Sequence, residues 1–346
     1  MGDPASHSTA GAQTEKSERV AAAPSPPALP ALELSQEMLP LKNQIASAIA
    51  PLTQLTPGVM VVDLDTHAFL DINASTAFAS ASTIKFPVLV AFFQDVDAGK
   101  IRLNEMLTMR QDLIATESGE LQYQPVGSQF SALEVITKMI TVSDNTATNM
   151  IIDRLGGKDV LNQRFQAWGL VNTAIRNPLP DLNGTNTSSP KDMVTLMNLV
   201  SSGQMVSLRS QERMMDIMRR VITDTLLPRG LGEGATIAHK TGDIGTMVGD
   251  TGIVDMPTGK RYLITVMVKR PFNDGHAQEL IRQISTLTYQ YLDRASKQTP
   301  ASPTPTQETP TQGNQNPAAS PAPDNQTTSP GNSQGATITR FKVAQP

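Results

Sequence analysis

Ser82-Thr83-Ile84-Lys85 places a hydroxyl and an amine three residues apart. On a helix, residues i and i+3 share a face, so Lys85 falls beside the Ser82 hydroxyl. A serine hydroxyl is a weak nucleophile and needs a nearby base. A lysine amine is that base only if its pKa falls, which burial and neighbouring positive charge both promote. Lys240-Thr241-Gly242 supplies a second positive charge. Ser143-Asp144-Asn145 supplies a hydroxyl that can relay a proton and an amide that can hydrogen-bond a substrate amide. A helix N-terminus also favours negative charge developing at Ser82. The three motifs together read as the parts of a serine ester-forming site. Singly they are weak signals: Lys-Thr-Gly is a common strand-end turn, and Ser-Asp-Asn is a good helix cap.

These groups work only if separate elements bring them together. Ile84 to Asp97 reads as a helix ended by Gly99, which places Ser82 and Lys85 at its start. Further helices are expected over residues 40–50, 133–140, 149–155, 160–168, 191–201, 212–221 and 277–292. Met193 and Met197, then Met214 and Met218, are spaced by four, which marks a buried face. Val59 to Asp63 and Ala68 to Ile72 read as a hairpin, and 236–240, 249–255 and 262–268 as three later strands. Pairing the first strands with the last three gives one antiparallel sheet flanked by helices, with an all-helical lobe inserted between its halves. The fold class expected is therefore α/β (α+β), and the cleft between lobes is the natural site.

The 346 residues include no Cys, which excludes a disulfide framework, thiol catalysis and cysteine-ligated zinc. A net charge of −4 does not suit a nucleic-acid binder. No apolar run approaches the ~18 residues that span a bilayer. Residues 1–38 hold five prolines and residues 299–346 hold nine, in tracts of small and polar residues. Such tracts bury too little apolar surface to offset chain entropy. Both are expected to be disordered, leaving residues 39–298 as the folded domain. His7, His67, His239 and His276 show no metal spacing, and no cofactor is expected. His239 is read as packing or hydrogen-bonding on its strand, or else as tuning Lys240. Glu117 and Glu120 read as surface carboxylates, and Trp168 as core.

The motif set Ser-x-x-Lys, Ser-Asp-Asn and Lys-Thr-Gly resembles that of the class A β-lactamase family of penicillin-recognising serine hydrolases. The resemblance spans roughly residues 40–295. It extends to Asp97-Ala98-Gly99, Tyr123-x-Pro125 and Leu182-Asn183. It implies one α/β lobe, one helical lobe and opening of a β-lactam ring through a Ser82 acyl-enzyme. It implies catalytic roles for Ser82, Lys85, Ser143 and Lys240. Substrate-binding roles fall to Asn145, Thr241, Gly242, Asp243, Tyr123 and Asn183. Lys240 and Thr241 would hold the substrate carboxylate, and Tyr123 would line the entrance. The backbone N–H groups of Ser82 and Asp243 would form the oxyanion hole. The implied partner is a β-lactam or a D-Ala-D-Ala-like peptide, met by a monomer outside the cytoplasm and near the cell wall. The first residues lack the basic and apolar regions of a signal peptide, so a targeting segment would lie outside this chain.

One departure matters. The family carries Glu-x-x-Leu-Asn in its omega loop, where the Glu activates the deacylating water. Here the stretch is Leu179-Pro180-Asp181-Leu182-Asn183, and leucine cannot act as a base. Asp181 is the conceivable substitute. The family's arginine on the strand after Lys-Thr-Gly is also missing, and Arg229 is its candidate replacement. Losing a positioned base typically costs ~10²–10⁴-fold in rate, so slow deacylation is expected. Two other readings stand beside this one. A cell-wall D,D-peptidase, amidase or esterase needs no omega-loop Glu and would release D-alanine from a peptide. A non-hydrolytic penicillin-binding module would leave Ser82 unlabelled by every acylating probe, or labelled without turnover.

Overall fold

The computed structural model describes Gly2 and residues 29–298. The expected disorder of residues 299–346, and of residues 1–28 apart from Gly2, lies outside the described residues. Residues 35–38, placed in the N-terminal disordered segment on composition, instead run beside a strand. The Ser35 N–H donates to the His67 carbonyl at 2.9 Å and the Met38 N–H to the Phe69 carbonyl at 2.7 Å.

Helix α1 (Leu39–Ile49) precedes the hairpin β1 (Thr56–Asp63) and β2 (Phe69–Ile72). After a short strand β3 (Phe78–Ala79) and a 3₁₀ turn at Ala81–Ile84 comes α2 (Lys85–Asp97). The small pair β4 (Met106–Thr108) and β5 (Gln129–Ser131) leads into α3 (Ala132–Thr141), α4 (Asn145–Arg154) and α5 (Lys158–Ala167). Strand β6 (Thr187–Ser188) pairs with β3. Then follow α6 (Pro190–Ser201), α7 (Leu208–Arg219), β7 (Thr236–Ile244), β8 (Met247–Asp255), β9 (Arg261–Lys269) and α8 (His276–Gln298).

The main sheet is antiparallel, in the order β2-β1-β9-β8-β7. The expected joining of first strands to last is thus made by β1 against β9, with Val61 opposite Ile264. Alternation sorts the side chains of this sheet. Val59, Val61, Ile264, Val266 and Val268 pack with α1 and α8 on one face. Met60, Val62, Leu263 and Met267 join the other, larger core with α2, α3, α4, α6 and α7.

Local chemistry sets the helix starts that position the site. Ser131 caps α3 by accepting from the Glu134 N–H, in a Ser-x-x-Glu arrangement. Asp144 caps α4, which therefore begins at Asn145, four residues before the periodicity predicts. The cause is that Asn145, Thr146 and Thr148 are buried despite their polarity. Helix α2 is buried over most of its length, and its Phe86, Phe92 and Phe93 are almost wholly buried. Each such ring is worth roughly 1.5–3 kcal/mol of burial, so the helix that starts at Lys85 is a fixed pillar of the core. Met193, Met197, Met214 and Met218 are buried, as their spacing indicates, and Trp168 sits in the core against Phe165.

Candidate functional site

Ser82 lies in the 3₁₀ turn that feeds α2 and borders a cleft of about 530 Å³. Its hydroxyl has no hydrogen-bond partner among the described residues. Ala81 just before it holds φ 43°, a left-handed conformation that costs an L-residue free energy. The turn is pinned from both sides: Thr83 Oγ1 donates to the Ser80 carbonyl at 2.6 Å, and the Ser80 N–H donates to the Asn186 carbonyl at 2.7 Å.

One turn on from Ser82, Lys85 is fully buried, its backbone N–H donating to the Ser82 carbonyl. Its Nζ donates to the Ser143 carbonyl at 2.6 Å and to Asn145 Oδ1 at 2.8 Å, and lies 3.0 Å from Ser143 Oγ. Burial holds the Lys85 amine well below its ordinary pKa. The charge of Lys240 pushes the same way, and Asp144 opposes it. Ser143 itself adopts φ 57° in the tight loop between α3 and α4. Asp144 holds that loop: Oδ1 accepts from the Ala147 N–H at 2.8 Å and Oδ2 from the Leu121 N–H at 2.9 Å.

The opposite wall is β7. Lys240 is fully buried, donates to the Thr241 carbonyl at 2.8 Å, and has its pKa lowered by burial to about 8. Thr241, Gly242 and Asp243 border the cleft. Gly242 is required by proximity: a Cβ there would stand 2.9 Å from the Thr83 nitrogen and 3.0 Å from the Ser82 nitrogen. The Asp243 carboxylate pairs with Arg270, whose side chain is only 2% exposed, and accepts from Gln278 at 3.4 Å. Burial pushes the Asp243 carboxyl up, and the Arg270 charge opposes that shift.

The third wall is the loop over residues 179–182, which begins with a cis Leu179-Pro180 peptide. Leu179 is buried against the core, and its backbone is clamped by Asn149. The Leu179 N–H donates to Asn149 Oδ1 at 3.0 Å, and Asn149 Nδ2 donates to the Leu179 carbonyl at 2.8 Å. Asp181 borders the cleft, but both its oxygens are engaged within the loop. Oδ1 accepts from Thr185 Oγ1 at 2.8 Å and Oδ2 from the Asn186 N–H at 2.6 Å. That engagement disfavours Asp181 as a free base.

Ser82, Ser143, Asn145, Thr241, Gly242 and Asp243 thus border one cleft, with Lys85 and Lys240 buried beside it. Tyr123 and Asn183 do not border it: Tyr123 is 79% exposed and Asn183 is exposed at the loop tip. Glu117 and Ser118 occupy the entrance wall expected of Tyr123. Arg229 is exposed and paired with Asp224 at 3.2 Å, outside the cleft lining. His239 is buried with Nδ1 3.0 Å from Asp250 Oδ1, and the Asp250 charge in turn raises the Lys240 pKa. Phe272, 78% exposed on the rim, and Arg270 escape sequence reasoning because only tertiary folding brings them beside β7. Among the described residues no cluster of His, Asp or Glu could hold a metal, and no helix is long and apolar enough to cross a membrane.

Residues 40–292 match the model of the beta-lactamase enzyme family. The extended-spectrum beta-lactamase PER-1 of Pseudomonas aeruginosa is 26% identical over 276 residues, covering 75% of this chain and 89% of that protein. A leucine-to-glutamate variant of PBP-A, solved as an acyl-enzyme complex with penicillin G, is 56% identical with a TM-score of 0.75. It covers 76% of this chain and all of that one. An ancestral class A beta-lactamase is 25% identical with a TM-score of 0.68, covering 72% of this chain and 99% of that one.

Proposed function

The chain belongs to the beta-lactamase enzyme family, and on that premise we propose that it opens β-lactam rings through a Ser82 acyl-enzyme that it releases slowly. The observation that carries this reading is the buried Lys85 amine, bonded to Ser143 and Asn145 beside Ser82 while the facing wall presents Leu179.

Burial and Lys240 both favour the neutral amine of Lys85, which leaves it a lone pair for a proton. Ser82 Oγ attacks the ring carbonyl carbon as its proton passes to Lys85 Nζ. The backbone N–H groups of Ser82 and Asp243 take the developing oxyanion, each donor worth ~3 kcal/mol. The carbon–nitrogen bond then breaks. Ser143 Oγ gives its proton to the leaving nitrogen and takes the one held by Lys85. The ring nitrogen thus gains the Ser143 proton, the Ser82 proton ends on Ser143 Oγ, and the carbonyl carbon ends as a serine ester. Thr241 and Gly242 line the place for the substrate carboxylate, with the buried Lys240 beside them. Asn145 uses Oδ1 on Lys85 and one N–H on the Thr116 carbonyl, which leaves its second N–H for the substrate amide.

Release needs water to attack that ester, yielding a carboxylic acid and a restored Ser82 hydroxyl. The Leu179 hydrocarbon takes no proton from water, and the Asp181 oxygens are already engaged. Both support a long-lived ester. The same geometry supports a cell-wall D,D-peptidase, in which the released leaving group is D-alanine and a second amine can take the ester. Site of action outside the cytoplasm is part of the same proposal, carried by the class A resemblance. Intact-mass measurement with benzylpenicillin tests it. A persistent one-ligand adduct, absent in Ser82→Ala, is expected. Rapid drug loss without adduct would sink the slow-release half, and neither adduct nor drug loss would sink the whole.

A further inference from the structure

Three ionisable side chains line the cleft, and all are carboxylates: Glu117, Asp181 and Asp243. The Asp181 oxygens are engaged by Thr185 and Asn186, and Asp243 is paired with Arg270. Glu117 is exposed and has no hydrogen-bond or ion-pair partner among the described residues. None of the nearby cations pairs with it: Lys85 and Lys240 are buried among other partners and Arg270 is held by Asp243. A ligand entering the cleft therefore meets an uncompensated negative charge at Glu117.

The backbone presents that charge rigidly. Glu117 adopts φ 75°, a conformation an L-residue takes at a cost. Asn145 secures both neighbours: its Nδ2 donates to the Thr116 carbonyl at 2.8 Å, and its N–H donates to the Ser118 carbonyl at 3.0 Å. Two residues on, Gly119 sits so close to Asp144 that a Cβ would stand 2.1 Å from its Oδ2. The strained segment is thus held by the residue that also bonds Lys85, and this fixes where the Glu117 backbone stands relative to a bound acyl group.

We propose that Glu117 selects acyl donors whose side chain carries a cation, an ammonium group close to the acylating carbonyl, and disfavours anionic ones. The proposal rests on the cleft being the acylation site. An exposed carboxylate attracts an ammonium modestly and repels a carboxylate by a similar factor, so the two effects together give about 10-fold discrimination.

The test compares acylation rate constants, by intact mass, for benzylpenicillin, its α-amino derivative and its α-carboxy derivative. Wild type and Glu117→Gln are measured at about 10 mM and about 1 M salt, where the Debye length falls from ~30 to ~3 Å. The α-amino compound should acylate wild type about 10-fold faster than the α-carboxy one at low salt. Glu117→Gln or high salt should shrink that ratio to about 2. An unchanged ratio in Glu117→Gln overturns the proposal. So does a longer adduct lifetime for all three compounds alike at constant ratio, because Glu117 would then assist hydrolysis instead of choosing substrates. If no penicillin labels wild type, the acylation reading fails by itself. The ranking is then read as non-covalent affinity in Ser82→Ala, with and without Glu117→Gln, and the absence of a charge preference there overturns the proposal.

Discussion

Lys85 Nζ lies 3.0 Å from Ser143 Oγ, joining the first residue of α2 to a loop 58 positions later. The contact links an amine whose pKa burial lowers to a hydroxyl on the cleft surface. Lys85 also bonds the Ser143 carbonyl, so its position does not depend on the hydroxyl alone. The two functions of residue 143, holding the lysine and passing a proton, are therefore separable.

Ser143→Gly should slow acylation by ~10²–10⁴-fold, the usual worth of a positioned proton donor. Glycine accepts the φ of 57° without strain, so the thermal midpoint should not fall. Ser143→Ala should lose the same rate and should be less stable than Ser143→Gly by about 1 kcal/mol, because alanine, like the native serine, bears the cost of that backbone conformation. Mass-resolved acylation and thermal melts check both. A fast Ser143→Gly variant would remove Ser143 from the proton path.

Leu179→Glu should shorten the lifetime of the acyl-enzyme by ~10²-fold or more, by adding a base to the wall that faces the ester. The Asn149 clamp holds the backbone of residue 179, not its side chain, so the new carboxylate would start from a fixed position. Loss of a buried leucine and burial of a carboxyl should lower stability by about 2 kcal/mol or more. The decay of the adduct after removal of free penicillin measures it. An unchanged lifetime would show that the missing Glu is not what slows release.

What could be read in the sequence follows from what is local. Ser82 and Lys85 sit one helical turn apart, and Lys240 to Gly242 sit on one strand, so spacing alone reveals them. The sheet was legible because Val59, Val61, Ile264 and Val266 alternate with residues of the other face. Glu117, Arg270 and Phe272 gain their place only from tertiary folding. Arg270 lies just after β9 and reaches Asp243 on β7, two strands away. Tyr123 carried the expected Tyr-x-Pro pattern, yet Glu117, exposed, borders the cleft and Tyr123 does not. Composition misplaced residues 35–38 because their anchors are backbone hydrogen bonds to residues 67–69 and the single buried side chain of Met38, which a count of prolines and small residues does not register.

Lys240 gives the site a pH signature. Its pKa falls from 10.5 to about 8 in the folded chain. Between those values the unfolded chain binds more protons than the folded one, so unfolding free energy rises with pH across that window. A gap of this size corresponds to about 3 kcal/mol. Buried Lys85, also shifted down, contributes with the same sign. Thermal melts should show a flatter rise from pH 8 to 10 in Lys240→Met. Acylation should move the other way, falling above pH 8 as the charge facing the substrate carboxylate is lost. Lys240→Arg, charged at every such pH, should extend the plateau if it acylates. Loss of acylation at the same pH in Lys240→Arg would assign the fall to another group.

Gly242→Ala tests how closely β7 must approach the nucleophile turn. The added methyl would meet the Thr83 nitrogen at 2.9 Å, the Ser82 nitrogen at 3.0 Å and the Ser80 carbonyl at 3.1 Å. All three are backbone atoms, so no side chain can swing away to make room. Either β7 or the turn must shift by a few tenths of an ångström, and the Ser82 and Asp243 N–H groups would no longer converge. Losing one oxyanion donor costs ~10²–10³-fold, and acylation should fall by that order. Lys85, bonded to Ser143 and Asn145 on the other wall, should keep its contacts, so the pH dependence of the remaining rate should be unchanged. Acylation at the wild-type rate would place the oxyanion donors elsewhere.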